Sequence, residues 1–141
     1  ENVSYSKEKH TLRGLHFQKP PYHQAKLITV IEGEILDIVL DINPESKQFG
    51  EHKFFYLNSK NKNILFINND FAHGFCTLKT NTKVLYKVTN YYNPKNEKII
   101  LCSDPEINIK WLKGKKFVMS KKDKNGLLFN EMKNLYKLFN K

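Results

Sequence analysis

The sequence predicts an all-β chain of antiparallel strands, built as a sandwich, barrel or jelly roll, with one helix near its C-terminal end. Three observations carry this expectation. Seven short runs rich in β-branched and aromatic residues lie between Thr11 and Tyr91; each is bounded by Asn, Asp, Ser, Lys, Gly or Pro; and no stretch of helical period separates them. Strands spaced this way close on one another rather than alternate with helices as in a βαβ sheet. At 141 residues the chain is one domain long, so 1–141 is read as a single unit.

Taken in order, Glu1 to Lys9 is polar and reads as a lead-in. Thr11 to Gln18 is the first expected strand, ended by Lys19-Pro20-Pro21, because consecutive prolines cannot donate to a ladder. Ala25 to Ile31 and Glu34 to Ile42 form a hairpin about Glu32-Gly33, and Asn43-Pro44-Glu45-Ser46 turns the chain. His52 to Leu57, Ile64 to Ile67, His73 to Leu78 and Thr82 to Tyr91 complete the set. In the last of these, period two turns Val84, Tyr86 and Val88 inward and Lys83 and Lys87 outward. Beyond Asn125-Gly126, Leu127, Leu128, Met132, Leu135, Tyr136 and Phe139 recur near helical spacing, which predicts an amphipathic helix docked on the β body. Trp111 is read as a packing anchor.

The 24 basic residues against 14 acidic ones give a charge of +10, a field that attracts anionic partners. Lys is spread along the chain, densest from Lys113 to Lys124, which also suits a solvated surface. Cys76 and Cys102 are too few for a disulfide framework and read as reduced packing thiols. No apolar run approaches the ~20 residues of a membrane helix, and no signal peptide is visible, so a cytoplasmic protein without membrane contact is expected. A bound metal is not expected: there is no His-x-His pair, His10 and His16 stand six apart, and His23 sits beside prolines. The absence of zinc-finger and RNA-binding signatures argues against nucleic acid as a partner.

Chemistry concentrates in Leu12-Arg13-Gly14-Leu15-His16-Phe17-Gln18. Arg13 is the only arginine, a planar fork in a chain that otherwise uses Lys, and it stands three residues before an imidazole. On a regular strand residues three apart face opposite ways, so the two share a ligand only if the strand bends. His73, Tyr86 and Asp123 are the other titratable groups of interest. Each also suits a structural part: His16 as a satisfied core histidine, His73 as a loop cap, Tyr86 as interior packing, and Asp123 as the last residue of a Ser120-Lys121-Lys122-Asp123 capping box.

As an ordered set, several stretches resemble the dTDP-4-dehydrorhamnose 3,5-epimerase family of cupin-type enzymes. They include Asn2 to Ser6, Leu12 to Gln18, Gln24 to Leu27, Gly33-Glu34 with Asp37 and Asp41, Phe71 to Phe75, Leu85 to Lys87, Asn90 to Pro94 and Ser120 to Asp123. The resemblance implies a cupin-like jelly-roll barrel, usually a homodimer, with no metal or organic cofactor. It also implies inversion at C3, C5 or both of an NDP-4-keto-6-deoxy sugar, as in deoxysugar or surface-polysaccharide precursor synthesis. Carried over by position, His16 is the base, Asp123 the carboxylate that orients it and Tyr86 the acid on the other side of the sugar. Lys26 and His73 lie near the keto group, and Arg13, Gln18, Asn2 and Glu97 complete the substrate-binding set. Two departures are visible: the family's additional N-terminal stretch is missing, and Asn68-Asn69-Asp70 replaces its usual turn. The competing expectation is a nucleotide-sugar-binding cupin without catalysis.

Overall fold

The computed structural model describes the backbone of residues 1–139 and the side chains of residues 1–134. Its strands are β1 (Asn2–Ser6), β2 (Leu12–Gln18), β3 (Lys26–Glu32), β4 (Glu34–Asp41), β5 (His52–Asn58), β6 (Ile64–Ile67), β7 (Phe71–Thr77), β8 (Thr82–Val88) and β9 (Glu97–Ile99). Two helices follow, α1 (Lys121–Lys124) and α2 (Phe129–Phe139). The strands form two antiparallel sheets, ordered β1-β8-β3-β6 and β5-β4-β7-β2-β9, which face each other as a jelly roll.

The seven expected strands are present with ends moved by a few residues. The largest shift is at β8, which stops at Val88, three residues before the expected Tyr91; beyond it the Asn90 side chain accepts from Tyr91 N–H and starts a turn. Two strands escaped the sequence reading. β1 buries little apart from Ser6, so it carries no apolar stripe, and β9 is three residues long and exists because Glu97 pairs with Gln18 at the sheet edge. Both owe their conformation to a neighbouring strand rather than to their own pattern.

The five-stranded sheet is covered on both faces. Ile28, Val30, Ile67 and Val84 from one sheet meet Ile35, Leu57 and Phe75 from the other in the inter-sheet core. On the far face, Leu12, Leu15, Phe17, Ile38, Leu40 and Ala72 pack under the segment from Ile100 to Ile107 and under Phe129 and Met132 of α2. This double cover explains why β4 and β7 are buried almost throughout instead of alternating. Each such aliphatic side chain contributes about 1.5–3 kcal/mol of transfer free energy. Trp111 is a packing anchor as expected: Nε1 donates to the Cys102 carbonyl at 2.9 Å and the ring meets Phe54 and Phe117 edge-on. Of the expected helix face, Met132 is buried, whereas Leu127 and Leu128 precede α2 and Leu128 is exposed; Leu135, Tyr136 and Phe139 lie outside the described side chains, and Phe129, which the spacing did not single out, is buried at the start of α2. Cys76 and Cys102 are buried free thiols, pushed up by burial to about 11 and about 12.

The register of β8 follows the expected alternation. Val84 is buried and Tyr86 half-buried, while Lys83 and Lys87 point outward to Glu32 and Glu1 at 2.8 and 2.6 Å. β2 is less regular. Its pairing with β7 shifts register between Arg13 and His16, at Gly14 with φ +109°. A Cβ there would stand 2.7 Å from Gly74 Cα, so only glycine permits both the backbone angle and the close approach. The shift reverses the inward parity, with Leu12, Leu15 and Phe17 packing on the far face while Arg13 and His16 both turn into the space between the sheets.

Candidate active site

Between the sheets opens a cleft of about 200 Å³. β2 supplies Arg13, His16 and Gln18, β7 supplies His73, β3 supplies Lys26, β8 supplies Tyr86 and β9 supplies Glu97. The structure therefore brings together seven of the nine residues singled out by the resemblance. Asp123 lies behind His16. Asn2 is apart from the cleft lining, exposed on the edge strand β1 opposite Tyr86.

Asp123 reaches this position because Ser120 caps α1. Asp123 N–H donates to Ser120 Oγ at 3.0 Å, and the Ser120 hydroxyl donates back to Asp123 Oδ2 at 2.6 Å. The other oxygen, Oδ1, lies 2.6 Å from His16 Nε2 and accepts from Gly14 N–H at 3.1 Å. The capping and orienting roles are thus combined in one residue. Burial raises the Asp123 carboxyl, but hydrogen bonds from His16 and Ser120, with further help from Gly14 N–H, outweigh it and hold the group below its ordinary range. An ionised carboxylate can only accept, so Nε2–H is the donor to Asp123 and Nδ1 is the ring nitrogen on the other side. The His16 side chain is 33% exposed against 5% for Asp123, which leaves the imidazole reachable and its partner shielded.

On the other side, Nδ1 lies 3.3 Å from Glu97 Oε1. Glu97 Oε2 is bonded to Lys122 Nζ and accepts from the Tyr92 hydroxyl at 2.8 Å. Burial raises Glu97, but its bonds to Lys122 and Tyr92, with the His16 charge, bring it below its usual value. One turn of helix thus serves both ring nitrogens: Asp123 directly, and its neighbour Lys122 through Glu97.

His73 is in mid-strand rather than at a loop, with Nε2 2.7 Å from Asp37 Oδ2. Asp37 is fully buried, its Oδ1 has no hydrogen-bond partner among the described residues, and burial raises its carboxyl despite the nearby His73 and Lys26. Lys26 Nζ donates to the His16 carbonyl at 3.2 Å. Burial lowers its ammonium to about 8, with the charges of Asp37 and Glu97 pulling the other way. Burial likewise raises the Tyr86 phenol, an effect that the Arg13 charge opposes and Glu97 supports. Gln18 faces the cleft with its amide engaged elsewhere, donating to the Tyr22 and Tyr91 carbonyls at 2.6 and 3.2 Å and accepting from Asn93 N–H at 2.7 Å. It steadies the two loops beside the opening.

Asp37, Lys122 and Tyr92 are the members for which sequence reasoning assigned no place in this network. A carboxylate at an inward position of the otherwise apolar run Ile35–Val39 was the available signal for Asp37; Lys122, in a lysine-rich segment, offered none. Among the described residues, no group of three or more His, Cys, Asp or Glu has the arrangement to hold a metal ion. No helix there is long and apolar enough to cross a membrane.

Comparison with known proteins identifies the family of the chain. The family profile described as dTDP-4-dehydrorhamnose 3,5-epimerase matches residues 1–131. The enzyme of that name from Shigella flexneri is 42% identical over 121 residues, 86% of this chain and 66% of its own. That from Salmonella typhimurium is 46% identical over 111 residues, 79% of this chain and 60% of its own. The chain therefore spans slightly less than two thirds of the length of these curated relatives. Among solved structures, the Bacillus anthracis enzyme with TDP and PPi bound superposes with a TM-score of 0.88 at 41% identity, covering 91% of this chain and 73% of its own. The Legionella pneumophila epimerase in complex with dTDP-4-keto-L-rhamnose gives 0.86 at 39% identity, covering 92% and 68%. With the profile spanning nearly the whole chain and the fold shared at this level of identity, the chain belongs to the dTDP-4-dehydrorhamnose 3,5-epimerase family.

Proposed function

We propose that the protein is an isomerase that inverts C3, C5 or both of a dTDP-linked 4-keto-6-deoxy sugar, supplying a deoxysugar precursor for surface polysaccharide. The observation that carries this reading is the placement of His16 and Tyr86 on facing sheets around one cleft, with a carboxylate fixing the tautomer of the first. A hydrogen α to a ketone is weakly acidic, so its removal needs a positioned base and donors for the enolate oxygen. His16 Nδ1 takes the proton, and Asp123 stabilises the imidazolium that forms. Lys26 and His73 line the same cleft and hold the enolate oxygen, while Tyr86 returns a proton from the opposite sheet. Glu97 must leave Nδ1 when substrate presents its C–H bond, and its carboxylate is then free to accept from a sugar hydroxyl.

The test is proton exchange in deuterated water with dTDP-4-keto-6-deoxyglucose. Deuterium at the inverted carbon is expected; binding without exchange at either α carbon would instead identify a non-catalytic nucleotide-sugar-binding cupin. Lys26 adds a pH dependence. Its ammonium is charged below about 8 and loses its proton above that value, so kcat/KM is expected to fall as pH rises through about 8. In Lys26→Met that alkaline limb should disappear, on a rate already lowered about 10²-fold.

The reading includes a cytoplasmic homodimer. The outer face of the four-stranded sheet presents an apolar row in register, Val3 beside Leu85, Leu85 beside Thr29 and Thr29 beside Ile64, with Leu27 beside Phe66. Ile64 and Phe66 are 61% and 66% exposed, unusual for side chains of this size two positions apart on the same strand face of a lone subunit. A partner copy would cover them. Light scattering is expected to give a dimer at micromolar concentration, and Ile64→Asp with Phe66→Asp a monomer; a wild-type monomer would reject the assembly.

A further inference from the structure

The only arginine of the chain is held by an edge strand rather than by an acidic side chain. Arg13 extends from β2, in one sheet, to β1, at the edge of the other: Nε donates to Ser6 Oγ at 3.3 Å and Nη2 donates to the Tyr5 carbonyl at 3.1 Å. Ser6 is 3% exposed, at the inward-facing end of β1, whereas Val3 and Tyr5 point outward. A guanidinium has two faces able to make paired hydrogen bonds, a side-on face of Nε and Nη2 and an end-on face of Nη1 and Nη2. β1 occupies the first. Among the described residues no carboxylate forms an ion pair with Arg13, so its charge and its end-on face are left to the cleft it lines.

We propose that Ser6 is a positioning residue: by fixing the side-on face of Arg13 it aims the end-on face at paired anionic oxygens, those of a nucleoside diphosphate, and keeps the guanidinium beside Tyr86. The ligand class rests on the function proposed above, whereas the link from Ser6 to Arg13 to Tyr86 does not. Without the Ser6 hydroxyl, Nε loses its acceptor and one long flexible side chain gains rotamers that compete with the aimed one. The guanidinium charge then spends less time near the Tyr86 hydroxyl, where it favours the phenolate against the effect of burial.

Two measurements separate these statements. In protein labelled at tyrosine Cζ and without ligand, the Tyr86 resonance, assigned through Tyr86→Phe, should titrate at higher pH in Ser6→Ala than in wild type. It should return in Ser6→Thr, which restores the hydroxyl. By calorimetry, dTDP should bind about tenfold more weakly to Ser6→Ala, Ser6→Thr should recover most of the loss, and Ser6→Ala added to Arg13→Met should cost nothing further. If Ser6→Ala does not fold, Ser6→Cys offers a side chain of similar size with a weak acceptor and makes the same comparison. A folded Ser6 variant lacking the hydroxyl in which neither the Tyr86 titration nor dTDP affinity moves overturns the proposal. A moved titration with dTDP affinity unchanged in every variant retains the positioning role and overturns the nucleotide as the ligand of Arg13.

Discussion

His16→Ala is expected to abolish both inversion and solvent deuterium exchange, because it removes a one-third-exposed imidazole of the cleft whose Nε2 is fixed to a buried carboxylate. General base catalysis typically contributes about 10²- to 10⁴-fold, and the loss should be at least of that order. Stability should fall by about 1–3 kcal/mol, since the ring itself is one third exposed but its loss leaves the buried Asp123 carboxylate short of a partner. Binding of dTDP provides the control: a variant that binds dTDP as wild type does, yet neither exchanges nor inverts, localises the loss to proton removal. If exchange persisted at the wild-type rate, the base would lie elsewhere, and His73 with its buried Asp37 partner would be the next residue to examine.

Tyr86→Phe should fail differently. The ring and its half-buried packing remain and only the hydroxyl is lost, so His16 can still remove a proton and return a deuteron to the face it left. Substrate should therefore gain deuterium with retained configuration while inverted product falls about 10²-fold or more. The two variants together distinguish a two-sided mechanism from one in which a single group serves both faces. Inversion at the wild-type rate in Tyr86→Phe would reduce Tyr86 to interior packing and direct attention to Tyr92, whose hydroxyl is already 2.8 Å from Glu97.

Much of this site was legible because its signals are local. Alternation in Thr82 to Val88 put Tyr86 inside and Lys83 and Lys87 outside without reference to any other strand. The Arg13 to His16 spacing announced a bend, which the register shift at Gly14 supplies. The residues without an assigned place are those whose surroundings come from distant chain. Lys122 reads as one more surface lysine until β9 lies beside it, and β1 has too little buried surface to declare itself a strand, although its Ser6 and Tyr5 hold the sole arginine.

The sequence by itself determined the all-β class and the seven strands between Thr11 and Tyr91, because strand period and turn residues are properties of consecutive residues; the roles expected of His16, Asp123 and Tyr86 rested instead on the resemblance of its ordered motifs. Tertiary structure decided how the groups of the site reach one another and added partners the sequence left unassigned, Asp37 among them. His16 meets Asp123 across 107 residues and His73 meets Asp37 across 36. The second pairing depends on β7 lying beside β4, and the first on the reversal of parity within β2 and on α1 docking against Gly14, since a side chain's partner is set by what lies beside its element and not by the residues that precede it.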